Sequence, residues 1–140
     1  MEHRRLRVNK LTELYTREEF GGTDIPFTLK NETVPFNGII EFEHANVNTT
    51  GNILLNGAGF IIFSNGILHC DIAPAVSIEG YGYLWYKNGI CHREDGPAII
   101  FTRNSVGYMW ALNGLRYNDE KEWKLDIRKL KLEKFLDDKS

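Results

Sequence analysis

The side chains in this sequence that are equipped for catalysis or metal binding fall into two short clusters, His69-Cys70-Asp71 and Cys91-His92-Arg93-Glu94-Asp95. Imidazole and thiolate together are common ligands of a tetrahedral zinc ion. A thiol beside an imidazole is the raw material of a nucleophile, and neighbouring carboxylates suit acid–base work. A metal- or cysteine-dependent hydrolase built on His69 and His92 is therefore one reading, and spacing argues against it. Cys70 follows its histidine whereas Cys91 precedes its own, so on equivalent strands the two thiols point differently. Cys91 and His92 are consecutive, and consecutive strand residues face opposite sides. Glu94 and Asp95 sit in a polar bend, where desolvation is too weak to tune a carboxylate for catalysis. The glycines begin strands or fill turns and form no phosphate-cradling loop. The expectation is a non-enzyme with no catalytic residue, no metal and no cofactor.

Composition sets the frame for what must position these residues. A chain of 140 residues supports one domain, and 42% hydrophobic content is enough to build a core for it. A net charge of −2 argues against a general duplex-DNA binder, whose affinity would come from a basic surface, and leaves local patches open. Two cysteines cannot form a disulfide framework, which predicts a reduced, cytoplasmic protein. No run of about 18 apolar residues predicts a membrane span. Charge is uneven: residues 1–10 are basic, 11–43 acidic, 44–117 nearly neutral and apolar, and 118–140 densely charged with both signs. The core is expected in the neutral stretch.

That stretch repeats. Asn65-Gly66, Asn88-Gly89 and Asn113-Gly114 recur 23 and 25 residues apart, each preceded by a glycine-led apolar run beginning at Gly59, Gly82 and Gly107. Asn-Gly between β-prone runs predicts a type I′ hairpin, because both central residues need positive φ. Counting outward from the turns pairs Lys87 with Ile90, Tyr86 with Cys91, Trp85 with His92, Ile62 with His69 and Trp110 with Tyr117. Pro97 cannot donate to a ladder, so after the bend through Asp95 and Gly96 it opens a new strand, Ala98–Phe101. One hairpin is marginal alone, so successive units must stack. Tyr83, Trp85, Tyr108 and Trp110 then share a face. They are expected either to bind a partner or to pack beneath the C-terminal helix through Trp123.

The run Trp85-Tyr86-Lys87-Asn88-Gly89-Ile90-Cys91-His92-Arg93-Glu94-Asp95-Gly96-Pro97-Ala98 resembles the MORN-like hairpin repeats that end in His-Arg-Glu-Asp-Gly-Pro-Ala and occur in bacteriophage, giant-virus and some bacterial proteins. The resemblance covers about residues 59–118. The first copy departs from it with Cys70-Asp71-Ile72-Ala73 in the bend, and the third replaces the histidine with Tyr117. Such repeats form strips of antiparallel sheet that scaffold or bind proteins, and a related bacterial group includes proteins regarded as antitoxins. The resemblance thus implies a non-catalytic protein-binding module, a small phage or bacterial inhibitor that occludes a host or toxin protein.

Four regions follow within one mainly β domain: an arm or helix over 1–22, irregular strands over 23–58, hairpin repeats over 59–118 and a helix over 119–140. The N-terminal helix is expected from Val8, Leu11 and Tyr15 on one face, a capping box at Thr16-Arg17-Glu18-Glu19 and a stop at Gly21-Gly22. Strand pieces are expected at Phe27-Thr28-Leu29, Gly38–Phe42 and Asn52–Leu55. Asn118 is the expected cap of a helix from about Asp119 to Leu136. That helix carries two apolar stripes: Trp123, Ile127 and Leu130 on one side, and Leu125, Leu132 and Leu136 nearly opposite, with Phe135 between. Either it bends and wraps one core, or one stripe meets another chain. In the second case the partner is a target or a second copy, as in a homodimer or a self-assembling structural protein.

Overall fold

The alternation Arg4-Arg5-Leu6-Arg7-Val8 has the period of a strand, and a strand is what it forms. A computed structural model of the chain describes residues 2–14, 26–48, 54–103 and 106–139. The elements are β1 (Arg4–Lys10), a 3₁₀ turn (Leu11–Leu14), β2 (Gly38–His44), β3 (Val47–Asn48), β4 (Leu54–Leu55), β5 (Gly59–Ser64), β6 (Ile67–Leu68) and β7 (Val76–Ile78). They continue with β8 (Gly82–Leu84), β9 (Tyr86–Lys87), β10 (Ile90–Cys91), β11 (Ile99–Phe101), β12 (Gly107–Leu112), β13 (Leu115–Tyr117) and α1 (Glu120–Lys139). The protein is mainly β, as expected. Among the described residues its main sheet has nine strands, ordered β1-β2-β5-β7-β8-β11-β12-β13 with β6 paired to β5, while β9 with β10 and β3 with β4 form separate two-stranded sheets.

Two expectations need correction. The expected helical face through Val8 is a strand, because Leu6 and Val8 alternate with Arg5 and Arg7 rather than following a 3.6-residue period. Only Leu11–Leu14 coils, as a single 3₁₀ turn. Tyr15, the capping box and Gly21-Gly22 lie outside the described residues. The sheet is also mixed, since β1 runs parallel to β2 across a long crossover. Of the expected strand pieces, Gly38–Phe42 lies within β2, Leu54–Leu55 pairs with β3, and the Phe27–Leu29 piece contributes an isolated bridge between Thr28 and Pro35. Asn52 and Ile53 are outside the described residues.

The predicted hairpin register is the observed one. Lys87 pairs with Ile90 and Tyr86 with Cys91, Trp110 pairs with Tyr117, and the His92 and His69 amides donate to the Trp85 and Ile62 carbonyls at 3.1 and 3.2 Å. All three Asn-Gly turns have positive φ at both residues, 51° and 80°, 53° and 77°, and 50° and 86°, which defines type I′. The strand after Pro97 forms as β11.

Register sorts the sequence into rows that cross seven strands. Leu6, Ile40, Ile61, Val76, Leu84, Ile99 and Met109 are successive cross-strand partners. They line the core side, where Ile40, Ile61, Val76 and Ile99 are buried. Phe27, Phe36 and Phe63 seal the first half of that core: Phe27 stacks on Phe63 at 4.6 Å, and Phe36 stands edge-on to both. The neighbouring core row alternates large side chains with the repeat glycines, as Phe42, Gly59, Ile78, Gly82, Phe101 and Gly107. Gly59 and Gly82 are there for backbone approach: at Gly82, with φ of 153°, a Cβ would lie 2.1 Å from the Ile100 carbonyl oxygen. At Gly107 nothing lies within 4 Å. Gly82→Ala is therefore expected to cost about 2–4 kcal/mol, and Gly107→Ala no more than about 1 kcal/mol. Urea melts of the two variants check the contrast, and equal costs would contradict it.

Candidate protein-binding surface

Each repeat is held by the one before it through its turn. The Asn88 amide donates to His69 Nδ1 at 2.9 Å while the Gly89 amide donates to the Leu68 carbonyl at 2.8 Å. One unit later, the Asn113 amide donates to His92 Nδ1 at 2.9 Å and the Gly114 amide to the Cys91 carbonyl at 3.0 Å. The first turn uses the same slot with a different residue: the Asn65 amide donates to Asn37 Oδ1 at 3.1 Å, and the Gly66 amide to the Phe36 carbonyl. Asn37-Gly38 is thus a docking position for the first repeat, which its flanking sequence does not reveal.

These contacts fix the chemistry of both histidines. A backbone amide can only donate, so Nδ1 must be the unprotonated nitrogen and Nε2 carries the hydrogen. Nε2 of His92 donates to Glu94 at 2.9 Å, and Nε2 of His69 lies 3.3 Å from Asp71. The acceptor is Glu94 alone, because Asp95 is engaged by Arg93 Nε at 2.8 Å. In this state neither ring has a spare lone pair for a metal ion. Among the described residues, no three His, Cys, Asp or Glu side chains gather as a metal site would need. Cys91 is buried, and burial raises its thiol pKa, the opposite of an activated nucleophile. Cys70 and His92 line one cleft of about 440 Å³, but both His92 nitrogens are already engaged.

The Arg-Glu-Asp-Gly-Pro bend works as a clasp. Arg93 bonds Asp95 and the Pro97 carbonyl and lays its guanidinium 3.9 Å over the Trp85 ring. Where the first copy has Cys70 in place of Arg93, it has Ile62 in place of Trp85.

The four aromatic residues expected to share a face do so in two pairs, Tyr83 with Trp85 at 6.5 Å and Tyr108 with Trp110 at 6.4 Å. Their roles divide. Trp85 is half-buried under Arg93, and Trp110 packs with Leu112, Tyr117, Trp123 and Ile127 against α1. Tyr83 and Tyr108 stay open, at 42% and 56% exposed, and flank Ile100, the cross-strand partner of both. The same outer row continues through Ser77, Phe60 and Glu41 to Arg7. At its far end Glu41 receives Arg5 and Arg7, which lower its pKa.

The helix is continuous over Glu120–Lys139, so it does not stop near Arg128. Its cap is Asp119, whose Oδ1 accepts the Lys121 amide at 2.9 Å, rather than Asn118. Trp123 and Ile127 face the sheet, with Trp123 Nε1 donating to the Arg93 carbonyl. Leu125, Leu132 and Leu136 face outward and are more than half exposed. Two further polar ties fasten the helix. Lys134 reaches Glu94 at 2.9 Å, and Tyr117 donates to Asp126, which raises the Tyr117 pKa to about 12.

No protein-family model, curated protein or solved structure matches this chain.

The clasp gives two tests. His92→Ala removes the acceptor for the Asn113 amide and is expected to cost about 1–2 kcal/mol. His92→Asn, which offers an acceptor as Asn37 does, should recover part of that in urea melts. The pH dependence follows from Glu94, held down at about 2 by hydrogen bonds from His92 and Lys134. A lowered carboxyl pKa stabilises the fold above the ordinary value of 4.5, and that contribution is lost as pH falls towards 2. Glu94→Gln should flatten the fall in denaturant midpoint between pH 4.5 and 2; an unchanged slope would count against the tie.

Proposed function

We propose that this chain is a non-catalytic protein-binding module of the MORN-like kind, a small phage or bacterial inhibitor that works in the cytoplasm by occluding the surface of a host or toxin protein. The observation that carries the binding reading is the open row Tyr83–Ile100–Tyr108 on a sheet whose other face is committed to the core. Tyrosine offers large contact area at little conformational cost, together with a hydroxyl for directed bonds, and is enriched where proteins bind proteins. The tryptophans beside it are held by Arg93 and by α1, so the surface is presented on a rigid support. The engagement of both His92 nitrogens and of His69 Nδ1 argues for structure over catalysis. Among the described residues no helix is long and apolar enough to cross a membrane, which agrees with a target met in solution.

The test is capture of the partner by the full chain, followed by affinity measurement with two variants. Tyr83→Ala combined with Tyr108→Ala should weaken binding by about 2–4 kcal/mol with little change in urea midpoint. Trp85→Ala should lower stability by about 2–4 kcal/mol. Full affinity in the double tyrosine variant would rule out this face as the binding surface.

A further inference from the structure

The outward stripe of α1 consists of Leu125, Leu132, Phe135 and Leu136, exposed by 56%, 58%, 56% and 55%. Four large apolar side chains on one side of a helix whose other side is already packed form a patch that water disfavours. Its borders say what covers it. At 100° per residue, Lys124, Arg128 and Lys131 run along one border of the leucine stripe, and Glu122, Asp126 and Glu133 along the other. Lys121 adds a fourth cation to the basic border. On the acidic border Lys129 lies between the stripe and Asp126, 3.9 Å from that carboxylate, which also accepts from Tyr117, so this flank carries three acids against one base. The stripe is therefore apolar, basic on one flank and net acidic on the other.

We propose that two copies of this chain pair through α1, with the helices parallel. Rotation about a two-fold axis along the helices sets the acidic border of each against the basic border of the other. An antiparallel pair, related by an axis across the helices, would set acid on acid and base on base. Flanking charges select partner and orientation in paired helices by this rule. A wholly acidic or wholly basic partner would satisfy only one border. The contact is isologous, so it closes at two chains. It uses none of the tyrosine row and stands independently of the binding role assigned to it.

Light scattering of the full chain should give twice 16.1 kDa. The Leu125→Glu, Leu132→Glu double variant should return to the mass of one chain with its urea midpoint held, since both leucines are exposed. Orientation is read by cysteine cross-linking in a Cys70→Ala background. Leu125→Cys alone and Leu136→Cys alone should each give a covalent two-chain product on mild oxidation, because in a parallel pair every seam residue meets its own copy. A one-chain mass for the unmodified protein would overturn the proposal. So would a two-chain mass that survives the double variant, or cross-linking seen only when the two cysteine variants are mixed.

Discussion

The architecture depends on satisfying the two amide donors of each Asn-Gly turn. A type I′ turn aims its central amides away from its own strands, and left to water it would be the loose end of a short hairpin. Here each pair of donors is received by the preceding unit, one by a carbonyl and one by a side chain set aside for the purpose. Hairpins that would be marginal singly are held in one stack because each turn is also an inter-unit contact, even for the β9–β10 hairpin, whose two strands pair only with each other. The histidine suits this position. It accepts on one edge and donates on the other, linking the next unit's turn to its own bend in one rigid ring.

From that contact the rest follows in layers. Docked turns fix the stagger between units, which brings the aliphatic partners from Leu6 to Met109 into one line across the sheet. The glycines that start the first two units, Gly59 and Gly82, let neighbouring backbones close up beside that line. The stack ends where its slots run out. Asn37 and the phenylalanine trio close one end, and Tyr117 stands where the third histidine would be, tied to Asp126 of the helix that covers the last unit.

Much of this was readable from residues alone, and the parts that were not have physical reasons. Asn-Gly turns, repeat spacing and cross-strand register are local, so Trp85 with His92 and Trp110 with Tyr117 could be counted off the sequence. The histidine-to-acid contact is local too, since the acid lies two residues further on. The turn-to-histidine bond is not: it joins residues about 20 positions apart through a backbone amide, which has no side-chain signature. β1 is ambiguous in the sequence because four residues of alternating Arg and aliphatic character, Arg5 to Val8, fit a short helical face nearly as well, and its partner β2 lies far along the chain. Composition also could not separate the tyrosines from the tryptophans. Their exposure is decided by Arg93 and Trp123, which arrive from a bend and a helix.

The slot contacts also give the stack a direction. Each of the first two repeats presents a receptor on one edge and a turn on the other, so a further copy inserted between Gly82 and Gly107 would find both a seat and an occupant, whereas one added beyond Tyr117 would find only helix. Such a chain can lengthen by internal duplication without redesigning either terminus. The reach of the tyrosine row would then grow by one rung per copy, which makes the footprint of the molecule a matter of counting.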